Sequence, residues 1–161
     1  MTPVAQLVAR LTERSHTLAL AESCTGGLLA ARVTSVPGAS AVFRGGVIAY
    51  HNEVKCDLLG VSAATLAAYG AVSAETALAM AQGARRRLQA TLAASITGVA
   101  GPDGGTAEKP VGIVFIAVAG PRGVRVEHCQ FAGDRDAICA QACDAALQML
   151  LEAREGQNDR W

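Results

Sequence analysis

Aromatic residues are scarce in this sequence and make up only 4% of its 161 positions. Proteins that bind single-stranded nucleic acid stack bases on aromatic side chains, so the scarcity argues against that class. The 14 basic residues are balanced by 14 acidic ones, and a net charge of zero gives no electrostatic footprint for DNA or RNA. We therefore expect no nucleic-acid partner.

Long hydrophobic runs are also absent, although 51% of the residues are hydrophobic. No apolar stretch reaches the roughly 20 residues that a transmembrane helix needs. Met1 to Val4 lack the basic region and apolar core of a signal peptide. These features predict a cytoplasmic protein without a membrane partner, whose five cysteines stay reduced.

Lysine is scarce as well, since only Lys55 and Lys109 accompany twelve arginines. Arginine keeps its proton in proteins, whereas a desolvated lysine amine can lose it. Each lysine is therefore a candidate for a role that arginine cannot fill.

Hydrophobic periodicity predicts alternating helices and strands. Strands are expected at about 17–21, 41–50 (with a bulge at its glycines), 91–97, 111–119 and 124–131, and helices at about 3–14, 25–35, 51–60, 62–70, 73–88 and 135–154. The turn at 120–123 makes the last two strands antiparallel. This order predicts one α/β domain over 1–161, a three-layer α/β/α fold with a mixed sheet, with its core at about 4–151 and a polar tail at 155–161.

Three segments of unusual composition follow the first three strands: Ser23–Gly27, Tyr50–Lys55 and Thr97–Gly105. Ligands of such sheets bind beyond the carboxyl ends of the parallel strands. The segments are therefore expected to meet at one site.

Ser23 and Lys55 suggest nucleophilic catalysis at that site. A serine hydroxyl needs a base, and a lysine amine with a lowered pKa can serve, with Tyr50 relaying the proton or holding the amine. Taken singly, each residue more commonly has a structural role: Ser23 as a helix cap, Tyr50 as a half-buried phenol and Lys55 as a surface lysine. Together at one edge of the sheet, they favour catalysis.

The sequence also contains rival nucleophiles, bases and metal ligands. Cys24 neighbours Ser23 and is a rival nucleophile, although we expect it to face the core. A Ser–His pair would need a histidine, and His51 is the minor option beside His16 and His128. Cys139, Cys143 and His128–Cys129 match no standard zinc spacing, so no metal is expected.

Phosphate has two candidate sites. The helix start at Thr25, Gly26 and Gly27 offers free backbone N–H groups. The glycine-rich loop at 98–105 could cradle phosphate, with Lys109 adding charge, although it lacks the Lys-Ser/Thr of a Walker A loop.

Four motifs resemble those of the CinA C-terminal domain family along nearly the whole chain: AESCTGG at 21–27, TGVAGPDGG at 97–105, KPVG at 109–112 and FAGDR at 131–135. The resemblance implies a CinA-like, anticodon-binding-domain-like fold with a five-stranded mixed sheet. It also implies nicotinamide-nucleotide amidase activity without a metal or cofactor, in an oligomer, often a dimer.

By this resemblance Ser23 is the nucleophile, with Lys55 and Tyr50 beside it. The candidate substrate-binding residues are Thr25, Gly26, Gly27, Asn52, Gly101, Asp103, Gly104, Gly105 and Lys109. The alternatives are a nucleotide-binding module without catalysis and a hydrolase of another small amide.

Overall fold

A five-stranded mixed sheet forms the middle layer of the computed structural model, which describes residues 1–153. Its strands, numbered in chain order, are arranged β2-β1-β3-β4-β5. Strand β1 is parallel to β2 and to β3, β4 is antiparallel to β3, and β5 is antiparallel to β4. The three-layer prediction is confirmed, while the predicted tail at 155–161 lies outside the described residues. The strands are β1 (Leu18–Glu22), β2 (Phe43–Ile48), β3 (Leu92–Gly98), β4 (Ile113–Gly120) and β5 (Gly123–Gln130).

In the described part of the chain, six α-helices flank the sheet, together with a short 3-10 helix at Ala39–Ala41. Thr2, Ser62, Ser73 and Asp134 cap four of them, each accepting a hydrogen bond from the backbone N–H three residues on. Within residues 1–153, no helix has the length and apolar character to cross a membrane. The helices are α1 (Pro3–Glu13), α2 (Leu28–Thr34), α3 (Asn52–Leu59), α4 (Ala63–Tyr69), α5 (Ala74–Arg87) and α6 (Arg135–Glu152).

The second helix begins three residues later than its predicted start at 25. Gly26 and Gly27 have φ angles of 58° and 104°, which lie in the left-handed region outside a right-handed helix. The chain therefore turns at these two glycines before α2 begins at Leu28.

The two faces of the sheet differ in the size of their side chains. Along β1, Leu18 and Leu20 join the core cluster under α1, α2 and α6, whereas Ala19 and Ala21 join the cluster under α3 and α5. This alternation follows from the two-residue period of a strand. Alanines on the second face let α5 pack close to the sheet, while each fully buried leucine contributes about 1.5–3 kcal/mol on the first.

The edge strand β2 contains the expected irregularity. Leu18 pairs with Phe43 and Ala19 with Gly45, so Arg44 is left over in the register. The bulge lies one position before the glycine pair and adjoins it, as the sequence indicated.

Candidate active site

A cavity of about 280 Å³ opens at the C-terminal edge of β1, β2 and β3. Because these strands run in the same direction, the segments that follow them meet there, and all three predicted segments contribute to the wall. The volume is near the lower end of small-ligand sites, roughly 300–1,000 Å³. The lining residues are Ser23, Cys24, Tyr50, Asn52, Lys55, Ala71, Val72, Thr97, Gly98, Val99, Ala100, Gly101, Asp103, Gly104 and Arg135.

Ser23 is fixed by backbone hydrogen bonds on both sides of its side chain. Its N–H donates to the carbonyl of Ile96 on β3 at 2.9 Å, and its carbonyl accepts from the N–H of Gly26 at 3.1 Å. The residue is only 8% exposed, and its hydroxyl lies in the cavity wall. The turn therefore presents the hydroxyl from a rigid position.

Glu22, which sequence reasoning missed, holds the start of α2. Its carboxylate is buried and accepts from Thr25 Oγ1 at 2.7 Å and from the N–H groups of Leu29 and Ala30 at 2.9 Å each. A carboxylate at a helix N-terminus satisfies donors that have no partner within the helix. An acidic residue ending an otherwise apolar strand was the available signal.

This arrangement corrects the expected role of the helix start. Thr25, Gly26 and Gly27 do not line the cavity. The carboxylate of Glu22 already occupies the N–H groups of α2 that an external anion would use. The start of α2 is therefore filled from within the chain.

Lys55 is buried on α3 with its amine aimed at Ser23. The side chain is 1% exposed, and Nζ donates to Ser23 Oγ at 3.1 Å, to the carbonyl of Ala49 at 2.9 Å and to the carbonyl of Tyr50 at 3.3 Å. No carboxylate among residues 1–153 forms an ion pair with it. Burial lowers the pKa of Lys55 from its ordinary value, because the charged form loses its hydration.

The neutral form of this amine suits the same contacts. Two N–H groups can donate to the carbonyls of Ala49 and Tyr50, which leaves the lone pair facing the hydroxyl of Ser23. Arginine could not play this part, since it keeps its proton. The scarcity of lysine had singled out this residue in the sequence.

Tyr50 meets Lys55 through its backbone rather than through its phenol. The phenol oxygen accepts from Arg135 Nη2 at 2.7 Å, and the side chain is 59% exposed. Arg135 also donates from Nη1 to the carbonyl of Gly101 at 2.7 Å. The sequence identified the motif that contains Arg135 but not its place in the cavity wall.

The glycine-rich loop divides into residues inside and outside the cavity. Gly101, Asp103 and Gly104 line it, as does Asn52 from α3. Gly105 packs instead against the backbone of Val111, where an added Cβ would lie 2.8 Å from the N–H nitrogen.

Lys109 points away from the cavity that it was expected to serve. Its Nζ donates to the carbonyl of Tyr69 at the C-terminal end of α4. The amine lies outside the lining of the cavity.

The rival groups are poorly placed for chemistry. Cys24 packs against the hydrophobic core, as the sequence suggested, and also lines the cavity, but burial raises the pKa of its thiol to about 12. The reactive thiolate is therefore scarce at neutral pH. Of the described residues, no histidine lines the cavity: His51 caps α3, and His128 stacks on Phe115.

Candidate metal ligands do not gather in the described part of the chain. Within residues 1–153, no group of three or more His, Cys, Asp or Glu side chains could hold a metal ion.

A three-layer α/β/α protein with a serine and a buried lysine paired at the C-terminal edge of its parallel strands is a candidate for nucleophilic catalysis. The chain belongs to the CinA C-terminal domain family, whose family model matches residues 2–154.

Relatives and solved structures agree with this family. The chain is 56% identical over 146 residues to a CinA-like protein of Anaeromyxobacter, covering 91% of the chain and 36% of the relative. It is 54% identical over 144 residues to a CinA-like protein of Geobacter sulfurreducens, covering 89% of the chain and 35% of the relative. The chain thus spans about a third of the length of these curated relatives.

Among solved structures, a CinA superfamily protein from Escherichia coli has a TM-score of 0.90 at 34% identity, covering 93% of this chain and 87% of that one. A competence/damage inducible protein from Agrobacterium tumefaciens has a TM-score of 0.88 at 40% identity, covering 94% and 96%. The fold is therefore shared closely with known members of the family.

Proposed function

We propose that the protein is an amidohydrolase that converts nicotinamide mononucleotide to nicotinate mononucleotide and ammonia. The observation that carries the proposal is the 3.1 Å contact between Lys55 Nζ and Ser23 Oγ in a cavity. A buried lysine without an acidic partner beside a serine hydroxyl is typical of an activated nucleophile. The substrate follows from the family resemblance.

The reaction begins with attack of Ser23 Oγ on the carboxamide carbon while the neutral amine of Lys55 takes the hydroxyl proton. The resulting oxyanion needs donors. The backbone N–H of Cys24 follows Ser23 in the turn, belongs to a residue that lines the cavity, and donates to no backbone carbonyl within residues 1–153. It is a better candidate than the N–H of Gly26, which is bonded to the carbonyl of Ser23.

Collapse of the tetrahedral intermediate breaks the C–N bond, and the ammonium of Lys55 gives its proton to the leaving amide nitrogen, which departs as ammonia. Water then attacks the acyl ester on Ser23 while Lys55 accepts a proton from it. Collapse of this second intermediate breaks the ester C–O bond, returns the proton from Lys55 to Ser23 Oγ and releases the carboxylate. Tyr50 supports both steps through its carbonyl, which helps to hold the amine of Lys55.

The test is ammonia release from nicotinamide mononucleotide by purified, chelator-treated protein. The expected result is steady turnover that the Ser23→Ala variant lacks, with a Ser35→Ala variant as control because that serine is exposed and bonds only within its own helix. Stabilisation by the nucleotide without ammonia release would instead indicate a binding module. Turnover of other small amides but not of this nucleotide would indicate a different hydrolase.

A further inference from the structure

The exposed rim of the cavity carries a cation that no acidic side chain within residues 1–153 neutralises. Arg135 lines the cavity, and no carboxylate among residues 1–153 forms an ion pair with it, including Asp103 on the same wall. A positive charge kept unpaired at a pocket is suited to an anionic group of the ligand.

The guanidinium of Arg135 is held in a fixed orientation. One terminal nitrogen donates to the carbonyl of Gly101 and the other to the phenol of Tyr50, each at 2.7 Å. A guanidinium has five N–H donors, so three remain for a ligand. Arg135 is also the first residue of α6, whose positive N-terminal end adds to the local potential.

Two other groups considered for an anion site, the start of α2 and the amine of Lys109, are already engaged. The N–H groups at the start of α2 are bonded to the carboxylate of Glu22. Lys109 donates to the carbonyl of Tyr69 and lies outside the cavity. Among the described residues, Arg135 and the buried Lys55 are the cationic side chains in the wall, and Lys55 faces Ser23.

The cavity also has a direction. A carboxamide that reacts must reach the 8% exposed Ser23, whereas the phenol of Tyr50 and the guanidinium beside it lie at the exposed rim. In a nucleotide the phosphate is the end farthest from the base. We propose that Arg135 binds the substrate's phosphate and so selects nucleotides over nucleosides, a role that rests on the proposed function.

The experiment compares nicotinamide mononucleotide with nicotinamide riboside, which lacks the phosphate. Kinetic constants for ammonia release are measured for the wild type and for the variants Arg135→Gln and Arg135→Lys. Arg32→Gln is the matched control, since its guanidinium pairs with Asp144 away from the cavity. Thermal unfolding of each variant reports whether it is folded.

For Arg135→Gln we expect kcat/KM for the nucleotide to fall about 10- to 100-fold, mainly through KM, because a charged hydrogen bond is lost. The riboside should change by less than about threefold, since it has no phosphate to lose. Arg135→Lys should recover part of the loss, and Arg32→Gln should match the wild type. Inorganic phosphate should inhibit the wild type competitively and Arg135→Gln much less.

An equal loss for both substrates would overturn the proposal, because it would show that Arg135 supports the shape of the cavity. An unchanged KM for the nucleotide would overturn it too. If the wild type releases ammonia from neither compound, the proposed function fails. The affinities of the nucleotide and the riboside, measured by calorimetry, then test anion recognition by Arg135. Tighter binding of the nucleotide than of the riboside, lost in Arg135→Gln, would support anion recognition, and equal binding would refute it.

Discussion

Ser23 and Lys55 are separated by 32 positions in the sequence, yet Ser23 Oγ and Lys55 Nζ lie 3.1 Å apart. Ser23 follows β1, and Lys55 lies on α3 after the parallel strand β2. Helix α3 is pressed against α5 where Gly83 leaves no room for a side chain, since an added Cβ would lie 1.9 Å from the carbonyl oxygen of Leu59. The close packing of α3 against α5 therefore helps to hold Lys55 beside Ser23.

The identity of the nucleophile can be tested with adjacent residues. Ser23→Ala is expected to lower kcat for the amidase reaction by at least about 10³-fold, because the attacking hydroxyl is gone. Cys24→Ala should keep kcat within roughly fivefold, since a thiol with a pKa raised to about 12 supplies little thiolate. The reverse pattern in ammonia-release assays would assign the reaction to the thiol.

Lys55→Met should remove the base while preserving the volume of the side chain. We expect kcat to fall by about 10²–10⁴-fold, the usual contribution of a positioned general base. In the wild type, kcat/KM should rise with pH through the lowered pKa of Lys55, as the amine loses its proton. The residual activity of Lys55→Met should lack this rise of kcat/KM with pH. An identical pH profile in both proteins would remove Lys55 from the mechanism.

The same burial makes the protein's stability depend on pH. The pKa of Lys55 is lower in the native state than the ordinary 10.5 of an unfolded chain, so between the two values the unfolded state binds more protons. The free energy of unfolding contributed by Lys55 therefore rises with pH across that window and falls as pH drops through the native pKa. Urea unfolding of the wild type minus that of Lys55→Met, measured across this range, should show a positive slope. A flat difference would mean that burial leaves the amine unperturbed.

Sequence patterns predicted the backbone of the site better than its side-chain contacts. Period-two and helical patterns, with capping residues such as Asp134, defined the elements, and the parallel order brought Ser23 and Lys55 to one edge. The direction of Lys109 could not be predicted, since it depends on where α4 ends in space. The role of Glu22 was missed because a carboxylate ending a buried strand has its hydrogen-bond partners seven and eight residues further on.

Glu22 should matter more for stability than an ordinary helix cap. Glu22→Ala leaves the hydroxyl of Thr25 and the N–H groups of Leu29 and Ala30 without their acceptor, and we expect a loss of about 2–4 kcal/mol. The exposed cap Asp134 is the comparison, and Asp134→Ala should cost about 1 kcal/mol. Urea unfolding of both variants measures the difference. Equal losses would show that water readily replaces the buried carboxylate.

A variant of Lys109 can distinguish the phosphate-binding role expected from the sequence from the contact with Tyr69 that the structure shows. Its amine donates to the carbonyl of Tyr69 at the end of α4, outside the cavity, so Lys109→Met should lower the free energy of unfolding by about 0.5–1.5 kcal/mol. The KM for nicotinamide mononucleotide should stay within about twofold, because a group that does not touch the ligand contributes no binding energy. A KM that rises tenfold or more, which corresponds to about 1.4 kcal/mol of lost binding free energy, would mean that the loop carries Lys109 to the phosphate once substrate binds.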